Sequence, residues 1–165
     1  MEFGTADSKN RALIVYDPDP FYNLDEKISE SFAKGLAQKG WFAQVATVSS
    51  ATKIAKAHFD LYVFCANTYN WSPDWAVTSY IEEHDALNRK KVVAITLGAG
   101  STEKSKQKLE KIILDKNAIL LSSFSLWLWK PNDKSKLEES NASVAVDRAN
   151  VLALEIGETA KKEKN

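Results

Sequence analysis

The stretch R-A-L-I-V-Y-D-P-D-P-F-Y, residues 11–22, decides the fold class. Residues 12–16 form a continuous apolar run, which is typical of a strand buried on both faces of a sheet. A turn rich in proline and aspartate follows, and a helical pattern follows the turn. In open α/β sheets, a strand-to-helix corner of this kind is where a phosphate-bearing ligand binds to free helix N–H groups.

The chemistry of this turn conflicts with a phosphate ligand. Its two aspartates, Asp17 and Asp19, only accept hydrogen bonds when they are ionised. The two prolines that follow them have no N–H group. One carboxylate about 5 Å from a phosphate charge costs roughly 3 kcal/mol at an effective dielectric constant near 20, which is about a hundredfold in affinity. Asn23 and the N–H groups of the following helix are the favourable elements.

Length and charge restrict the class of protein. The 165 residues suit a single domain with one substantial core. Lys+Arg and Asp+Glu each total 22, so bulk charge does not attract nucleic acid or an anionic membrane. The single cysteine, Cys65, excludes an intramolecular disulfide and a multi-cysteine metal cluster, and two histidines are too few for a metal site. No apolar run approaches the roughly 18 residues of a membrane helix.

Strands and helices alternate along the chain. Further strands are predicted at residues 42–48, 61–66, 92–97 and 118–129.

The first helix has its apolar stripe at Leu24, Ile28, Phe32 and Leu36. We expect Asn23 and Glu26 to form a capping box at its start and Gly40 to end it. Residues 49–57 suggest a weak helix or a loop. Ser72 and Pro73 are expected to start a later helix. This alternation predicts a three-layer α/β/α sandwich with a parallel sheet.

The ends of the chain are expected to lie outside the domain. Residues 1–5 resemble a cloning scar, residues 6–10 a flexible segment, and residues 161–165 a flexible, lysine-rich tail. The single domain would then cover residues 11–160. The junction at Ala6, which is not a methionine, suggests that native sequence was trimmed, either a signal peptide, a membrane anchor or a few flexible residues, and we expect an anchor or export segment. We therefore expect a soluble domain that is either cytoplasmic or tethered by that segment.

Two further loops carry a family resemblance. The segment C-A-N-T-Y-N-W-S-P-D-W-A-V, residues 65–77, is similar to the G-S-P-T-Y-x-G-x-P-x-x-x-V pattern of flavodoxin-like proteins, with matches at Thr68, Tyr69, Pro73 and Val77. The segment G-A-G-S-T-E, residues 98–103, resembles a second flavin-flanking loop of that family. The resemblance covers nearly all of residues 11–161. It implies five parallel strands in the order 2-1-3-4-5. The first loop departs from the family's T/S-x-T-G-x-T.

The resemblance also implies a site for FMN. The first loop (residues 17–23), the second loop (67–75) and the third loop (98–102) would share one crevice at the switch point of the sheet. The implied cofactor-binding residues are Asp17, Asp19, Tyr22, Asn23, Asn67, Thr68, Tyr69, Asn70, Trp71, Gly98, Ala99, Gly100 and Ser101. Tyr69 or Trp71 would stack on the flavin ring, and Gly98 and Gly100 would let backbone approach it.

Several of these residues also have structural interpretations. Asp17 and Asp19 suit an ordinary turn, and Phe21 with Tyr22 suits a hydrophobic lid over the helix start. We expect Trp75 to pack, Cys65 to be a small core residue and His84 to be solvated. The strand residues Trp127 and Trp129 suit burial under the final helix, with a dimer or membrane-surface contact as the alternative.

Three function classes follow. The first is an electron-transfer or reductase domain of flavodoxin type that uses FMN, in which flavin binding can be weakened or lost. The second is a flavin-free binding or scaffold module. The third, a hydrolase or transferase, has the least support because no Ser/His/Asp or metal constellation meets the crevice. A redox partner protein is implied but not identified, and the neutral charge argues against a free acidic electron carrier. No catalytic residue is assigned, and the oligomeric state stays open.

Overall fold

The computed structural model describes residues 1–55 and 58–162. Within them the chain forms seven strands: β1 Glu2–Phe3, β2 Arg11–Tyr16, β3 Phe42–Thr47, β4 Leu61–Tyr69, β5 Ser72–Pro73, β6 Lys91–Gly98 and β7 Ile119–Trp127. The same residues form five α-helices: α1 Leu24–Gln38, α2 Val48–Ala51, α3 Trp75–Glu83, α4 Glu103–Asp115 and α5 Asn141–Lys162.

The sheet confirms the predicted fold class. Its five parallel strands lie in the order β3-β2-β4-β6-β7, which is 2-1-3-4-5 when only these strands are numbered. The apolar runs of β2 and β4 pair in parallel, with Ala12 opposite Leu61 and Tyr16 opposite Cys65. The sheet also contains two short antiparallel strands that the sequence did not predict. β1 pairs with β3 at the sheet edge, and β5 pairs with β4 beyond its parallel part.

Alternation along the central strands creates two cores, one on each face of the sheet. Ala12, Ile14 and Tyr16 of β2 face the cluster that includes α1 and α5. Leu13 and Val15 face the cluster that includes α3 and α4. Because successive side chains of a strand point to opposite faces, a continuous apolar run supplies both layers. The molecule is therefore the predicted three-layer sandwich.

The first residues belong to the fold, which corrects the expectation that the domain starts at residue 11. Glu2 and Phe3 pair with Gln44 and Ala43 of β3. The amino group of Met1 donates a hydrogen bond to the Val45 carbonyl at 2.7 Å. Residues 6–10, expected to be flexible, are also held to the domain. The Ser8 hydroxyl donates to the Gly40 carbonyl at 2.6 Å.

Helix α1 ends as predicted but starts differently. Gly40 has φ of 75°, and the N–H groups of Gly40 and Trp41 donate to the carbonyls of Ala37 and Leu36. This left-handed glycine with paired carbonyls is a C-terminal cap. At the other end, Asn23 holds the N-cap position, but its side chain makes no capping hydrogen bond. The predicted capping box is therefore wrong.

The chain around α3 corrects two further expectations. Ser72 and Pro73 form β5 rather than the start of the helix, and Asp74 caps α3 by accepting hydrogen bonds from the Ala76 and Val77 N–H groups. His84, which we expected to be solvated, has no exposed surface. Its ring packs edge-on against Tyr62 and Tyr80, with centroid distances of 5.0 and 5.3 Å. The neighbouring aromatic rings account for its burial.

The remaining boundaries shift slightly. The weak helix expected at residues 49–57 is observed as the single turn α2, and residues 56 and 57 lie outside the described residues. Lys161, expected in a flexible tail, lies in α5, and its amino group donates to the Lys39 carbonyl. Residues 163–165 of that predicted tail also lie outside the described residues. Across the described part of the chain, none of the helices combines the length and hydrophobicity that crossing a membrane requires.

Candidate functional site

The carboxyl ends of β2, β4 and β6 bring the three predicted loops to one edge of the sheet. A cavity of about 190 Å³ opens there, lined by Asp19, Tyr22, Leu24, Asn67, Thr68, Tyr69, Leu97, Gly98, Ala99, Leu128 and Trp129. Its volume is below the roughly 300–1,000 Å³ of pockets that enclose a drug-sized ligand. The cavity can therefore enclose only part of a ligand of that size.

Seven of the predicted site residues line this cavity and six do not. Those outside the lining are Asp17, Asn23, Asn70, Trp71, Gly100 and Ser101. Sequence reasoning missed four lining residues, namely Leu24, Leu97, Leu128 and Trp129. Leu24 and Leu97 adjoin predicted loops, so extending each loop by one residue would have found them. Leu128 and Trp129 follow β7, the next strand along the sheet, whose end was not included in the predicted crevice.

Asp19 organises the first loop. One oxygen of its carboxylate accepts hydrogen bonds from the N–H groups of Phe21 at 2.7 Å and Tyr22 at 2.9 Å. The other oxygen accepts a hydrogen bond from the Tyr69 hydroxyl of the second loop. An aspartate that binds backbone two residues ahead is a common turn device, as the turn interpretation expected. The bond from Tyr69 adds a link between two walls of the crevice.

Asp25 accepts hydrogen bonds from the same two loops, and the sequence analysis did not identify it as a site residue. This carboxylate is 1% exposed and accepts three hydrogen bonds. The donors are the Asp19 N–H at 2.7 Å, the Glu26 N–H at 2.7 Å and the Asn67 side-chain amide at 2.9 Å. A carboxylate in the first turn of a helix also interacts favourably with the helix dipole. Asp25 therefore holds the first loop, helix α1 and the second loop together.

The carboxyl groups of this region have different proton affinities. Burial raises the pKa of Asp17, and the neighbouring Asp74 and Asp25 raise it further. Burial also raises the pKa of Asp25, and this effect exceeds the opposing effect of its hydrogen bonds. For Asp19, burial is outweighed by the hydrogen bonds from Tyr69, Phe21 and Tyr22, so its pKa lies below the ordinary value. Asp19 is therefore the most acidic of the three.

This difference predicts an order of titration. As pH falls, Asp17 and Asp25 should take up protons first, and Asp19 should protonate last, below the ordinary aspartate range of about 3.9. Because the pKa of Asp19 is lowered in the folded state, its contribution to stability is present at higher pH and is lost as pH falls through that value. NMR titration of the side-chain carboxyl carbons measures this order. Tyr69→Phe should raise the Asp19 midpoint, and a midpoint for Asp19 above those of Asp17 and Asp25 would contradict the assignment.

The second loop turns through a strained hairpin. Tyr69 pairs with Ser72, so Asn70 and Trp71 form a two-residue turn, and their φ angles are 49° and 59°. Positive φ at both central positions is typical of a type I′ hairpin turn and is unusual for a side chain as bulky as tryptophan. The turn directs Trp71 away from the cavity lining and leaves it 62% exposed. Backbone strain of this kind occurs mainly at functional sites.

Close packing explains the glycine that begins the third loop. A Cβ atom on Gly98 would lie 2.6 Å from the Thr102 methyl carbon and 3.3 Å from the Thr68 Cβ atom. Thr102 in turn accepts a hydrogen bond from the Trp127 indole N–H at 3.0 Å. Glycine is therefore required at position 98 for contact between the second and third loops. The family resemblance had suggested instead that this glycine lets backbone approach a ligand ring.

Exposed aromatic side chains lie on the first loop, on the second loop and after β7. They are Phe21, Tyr22, Tyr69, Trp71, Trp75 and Trp129. Three expectations are corrected here. Trp75 does not pack in the core and is 81% exposed, Phe21 is 85% exposed and forms no lid, and Trp129 is 69% exposed instead of buried under α5. Trp127 is partly buried and lies under the Lys130 amino group, 4.2 Å from the ring centroid.

A metal centre has no support from side-chain geometry. Within residues 1–55 and 58–162, no group of three or more His, Cys, Asp or Glu side chains is placed to hold a metal ion. Cys65 is fully buried, as predicted, and burial raises the pKa of its thiol. A buried thiol with a raised pKa is a weak nucleophile.

Comparison with known proteins identifies the fold. No protein-family model matches the chain, and no curated protein matches its sequence. A flavodoxin from the domain Archaea superposes with a TM-score of 0.72 at 15% identity, covering 92% of this chain and 99% of that one. The WrbA-like flavodoxin of Agrobacterium tumefaciens gives 0.65 at 14% identity, with 93% and 98% covered.

Larger proteins also contain this fold. The Flv1 flavodiiron core of Synechocystis gives a TM-score of 0.72 at 11% identity, and 95% of this chain is covered. The match spans only 37% of the length of that protein. At these identities the similarity concerns architecture alone. The strand order, the three layers and these superpositions together show that the chain has the flavodoxin-like fold.

Proposed function

We propose that the crevice binds the ring of a flavin and that the protein is an electron-transfer or reductase domain of the flavodoxin type with weak affinity for FMN. The observation that carries this proposal is the cavity at the switch point, which has both Tyr69 and Trp129 in its lining. Gly98 and Ala99 of the third loop also line it. A flavin held there would supply one- or two-electron transfer.

The cavity fits the ring portion of FMN. Its apolar walls, Leu24, Leu97 and Leu128, suit the hydrocarbon edge of a flat aromatic group. Tyr69 and Trp129 are exposed aromatic side chains in the lining and can contact such a group. The phosphate portion does not fit, because the first loop directs a carboxylate to the position where a phosphate would need donors.

The test is a flavin titration of the purified protein. We expect colourless protein that quenches added riboflavin fluorescence with a dissociation constant around micromolar or weaker, or about −8 kcal/mol. Trp129→Ala should weaken binding about tenfold, because an aromatic contact contributes on the order of 1 kcal/mol in addition to its buried area. Trp71→Ala is the matched control and should change binding less than about twofold. Equal losses in the two variants would place the ring elsewhere.

A flavin-free binding or scaffold module is the second candidate. It is favoured by the exposure of Phe21, Trp71 and Trp75, which form no part of the cavity lining. Exposed aromatic patches commonly mark contact surfaces for other proteins. The titration separates the two functions, because a module without a ring site leaves riboflavin fluorescence unchanged at every protein concentration.

A further inference from the structure

We infer that Asp19 is a built-in occupant of the phosphate subsite and that the crevice selects ring ligands that carry no phosphate. The inference rests on the proposed function and adds the ligand class. Its basis is the hydrogen bonding of the first loop. A ligand phosphate at a strand-to-helix corner is normally held by loop and helix N–H groups and by hydroxyl groups.

The backbone donors of residues 18–22 can be accounted for one by one. Pro18 and Pro20 have no N–H group. The Asp19 N–H donates to the Asp25 carboxylate at 2.7 Å. The N–H groups of Phe21 and Tyr22 donate to the Asp19 carboxylate at 2.7 and 2.9 Å. Every N–H of this segment is therefore either missing or already bound to an anion that belongs to the protein.

The neighbouring hydroxyl group is used in the same way. Tyr69 lines the cavity, and its hydroxyl donates to the second oxygen of Asp19. Three donors thus converge on one carboxylate. This arrangement is what a bound phosphate would otherwise require, so the Asp19 side chain takes the place of the ligand's anionic group.

The negative charge of Asp19 also disfavours a ligand phosphate. Asp19 is ionised at neutral pH, because the ordinary aspartate pKa is well below 7 and its hydrogen bonds hold its pKa lower still, against the effect of burial. Asp25 lies immediately behind it, hydrogen-bonded to its N–H. A phosphate that approached within about 5 Å of the Asp19 carboxylate would lose about a hundredfold in affinity through repulsion at an effective dielectric constant near 20. Riboflavin has the same ring without that group.

The experiment compares FMN with riboflavin on the whole protein by fluorescence quenching and calorimetry. The wild type should bind riboflavin at least as tightly as FMN. Asp19→Ser removes the charge and replaces the carboxylate acceptor of the Phe21 and Tyr22 N–H groups with a weaker hydroxyl acceptor. It should tighten FMN binding about a hundredfold and change riboflavin binding less than about threefold. Asp19→Asn removes the charge but still accepts from the loop, so its gain for FMN should be smaller.

Two control variants separate the occupation of the phosphate subsite by Asp19 from a general effect of negative charge on FMN affinity. Asp17→Ser makes the same charge change in the same loop without altering the acceptor of the Phe21 and Tyr22 N–H groups, and its gain for FMN should be at most about tenfold. Tyr69→Phe removes one donor while the carboxylate stays on the loop, so FMN should gain nothing. Circular dichroism checks the fold of each variant, and Asp19→Asn provides the decisive comparison if Asp19→Ser does not fold.

The outcomes distinguish this inference from the proposed function. Wild-type protein that binds FMN more than about tenfold tighter than riboflavin overturns the role of Asp19 and leaves flavin binding intact. Equal FMN gains in Asp17→Ser and Asp19→Ser also overturn that role. If neither flavin binds the wild type or any variant, the proposed function fails and the inference fails with it.

Discussion

Replacing Asp25 with alanine is expected to lower the free energy of unfolding by about 3 kcal/mol. The carboxylate is 1% exposed and accepts hydrogen bonds from the Asp19 N–H, the Glu26 N–H and the Asn67 amide. Removing an acceptor leaves buried donors unsatisfied, at about 1–3 kcal/mol each. The sum is reduced because loop donors can turn toward water. Urea denaturation followed by tryptophan fluorescence measures the change.

The control for this variant is Asp17→Ala. Asp17 belongs to the same acidic group and has its pKa raised by burial and by Asp74 and Asp25. Removing it relieves repulsion, so we expect a change in unfolding free energy of less than about 1 kcal/mol. A loss below about 1 kcal/mol for Asp25→Ala would show that the three hydrogen bonds to Asp25 are exchanged for water at little cost. A loss as large for Asp17→Ala would show that the effect is not specific to those bonds.

The fold could be predicted because its signals are local and repeated. A continuous apolar run such as residues 12–16 is typical of a buried strand. The four-residue spacing of Ile28 and Phe32 is typical of a helix. The two-residue strand Glu2–Phe3 could not be predicted, since it is too short to show a period. Its position depends on β3, which is about forty residues away in sequence.

The loops of the site were predicted, but their internal contacts were not. The switch-point rule depends on strand order alone, so it placed the three loops together correctly. The role of Asp25 depends on where residues 19 and 67 lie, and only the folded chain brings these together. The hairpin at Asn70 and Trp71 was missed because it contains no glycine, which is the residue that usually indicates positive φ.

Replacing Gly35 with leucine is expected to destabilise the protein by about 3 kcal/mol or more. A Cβ atom at this position would lie 2.6 Å from the Asn150 carbonyl oxygen and 2.7 Å from the Ala153 Cβ atom, both on α5. The two helices are also joined there, because the Asn150 amide donates to the Ser31 carbonyl at 3.1 Å. Overpacking of a tight core typically costs 1–3 kcal/mol, and contact with backbone atoms leaves less room to adjust.

Helix propensity alone predicts that Gly35→Leu stabilises the protein, whereas packing predicts destabilisation. The sign of the measured change in unfolding free energy therefore decides between the two. Leucine is more favourable than glycine inside a helix by somewhat less than about 1 kcal/mol, so an isolated α1 would gain from this change. Lys27→Leu, on the exposed side of α1, introduces leucine without the contact and with almost no change in helix propensity, so it should stay within about 0.5 kcal/mol of the wild type. Gly35→Ala should fall between the two. Stabilisation by Gly35→Leu would mean that α1 and α5 can separate at little cost. The first turn of α1 carries Leu24 and Asp25, so the crevice would then rest on a movable helix rather than on a fixed one.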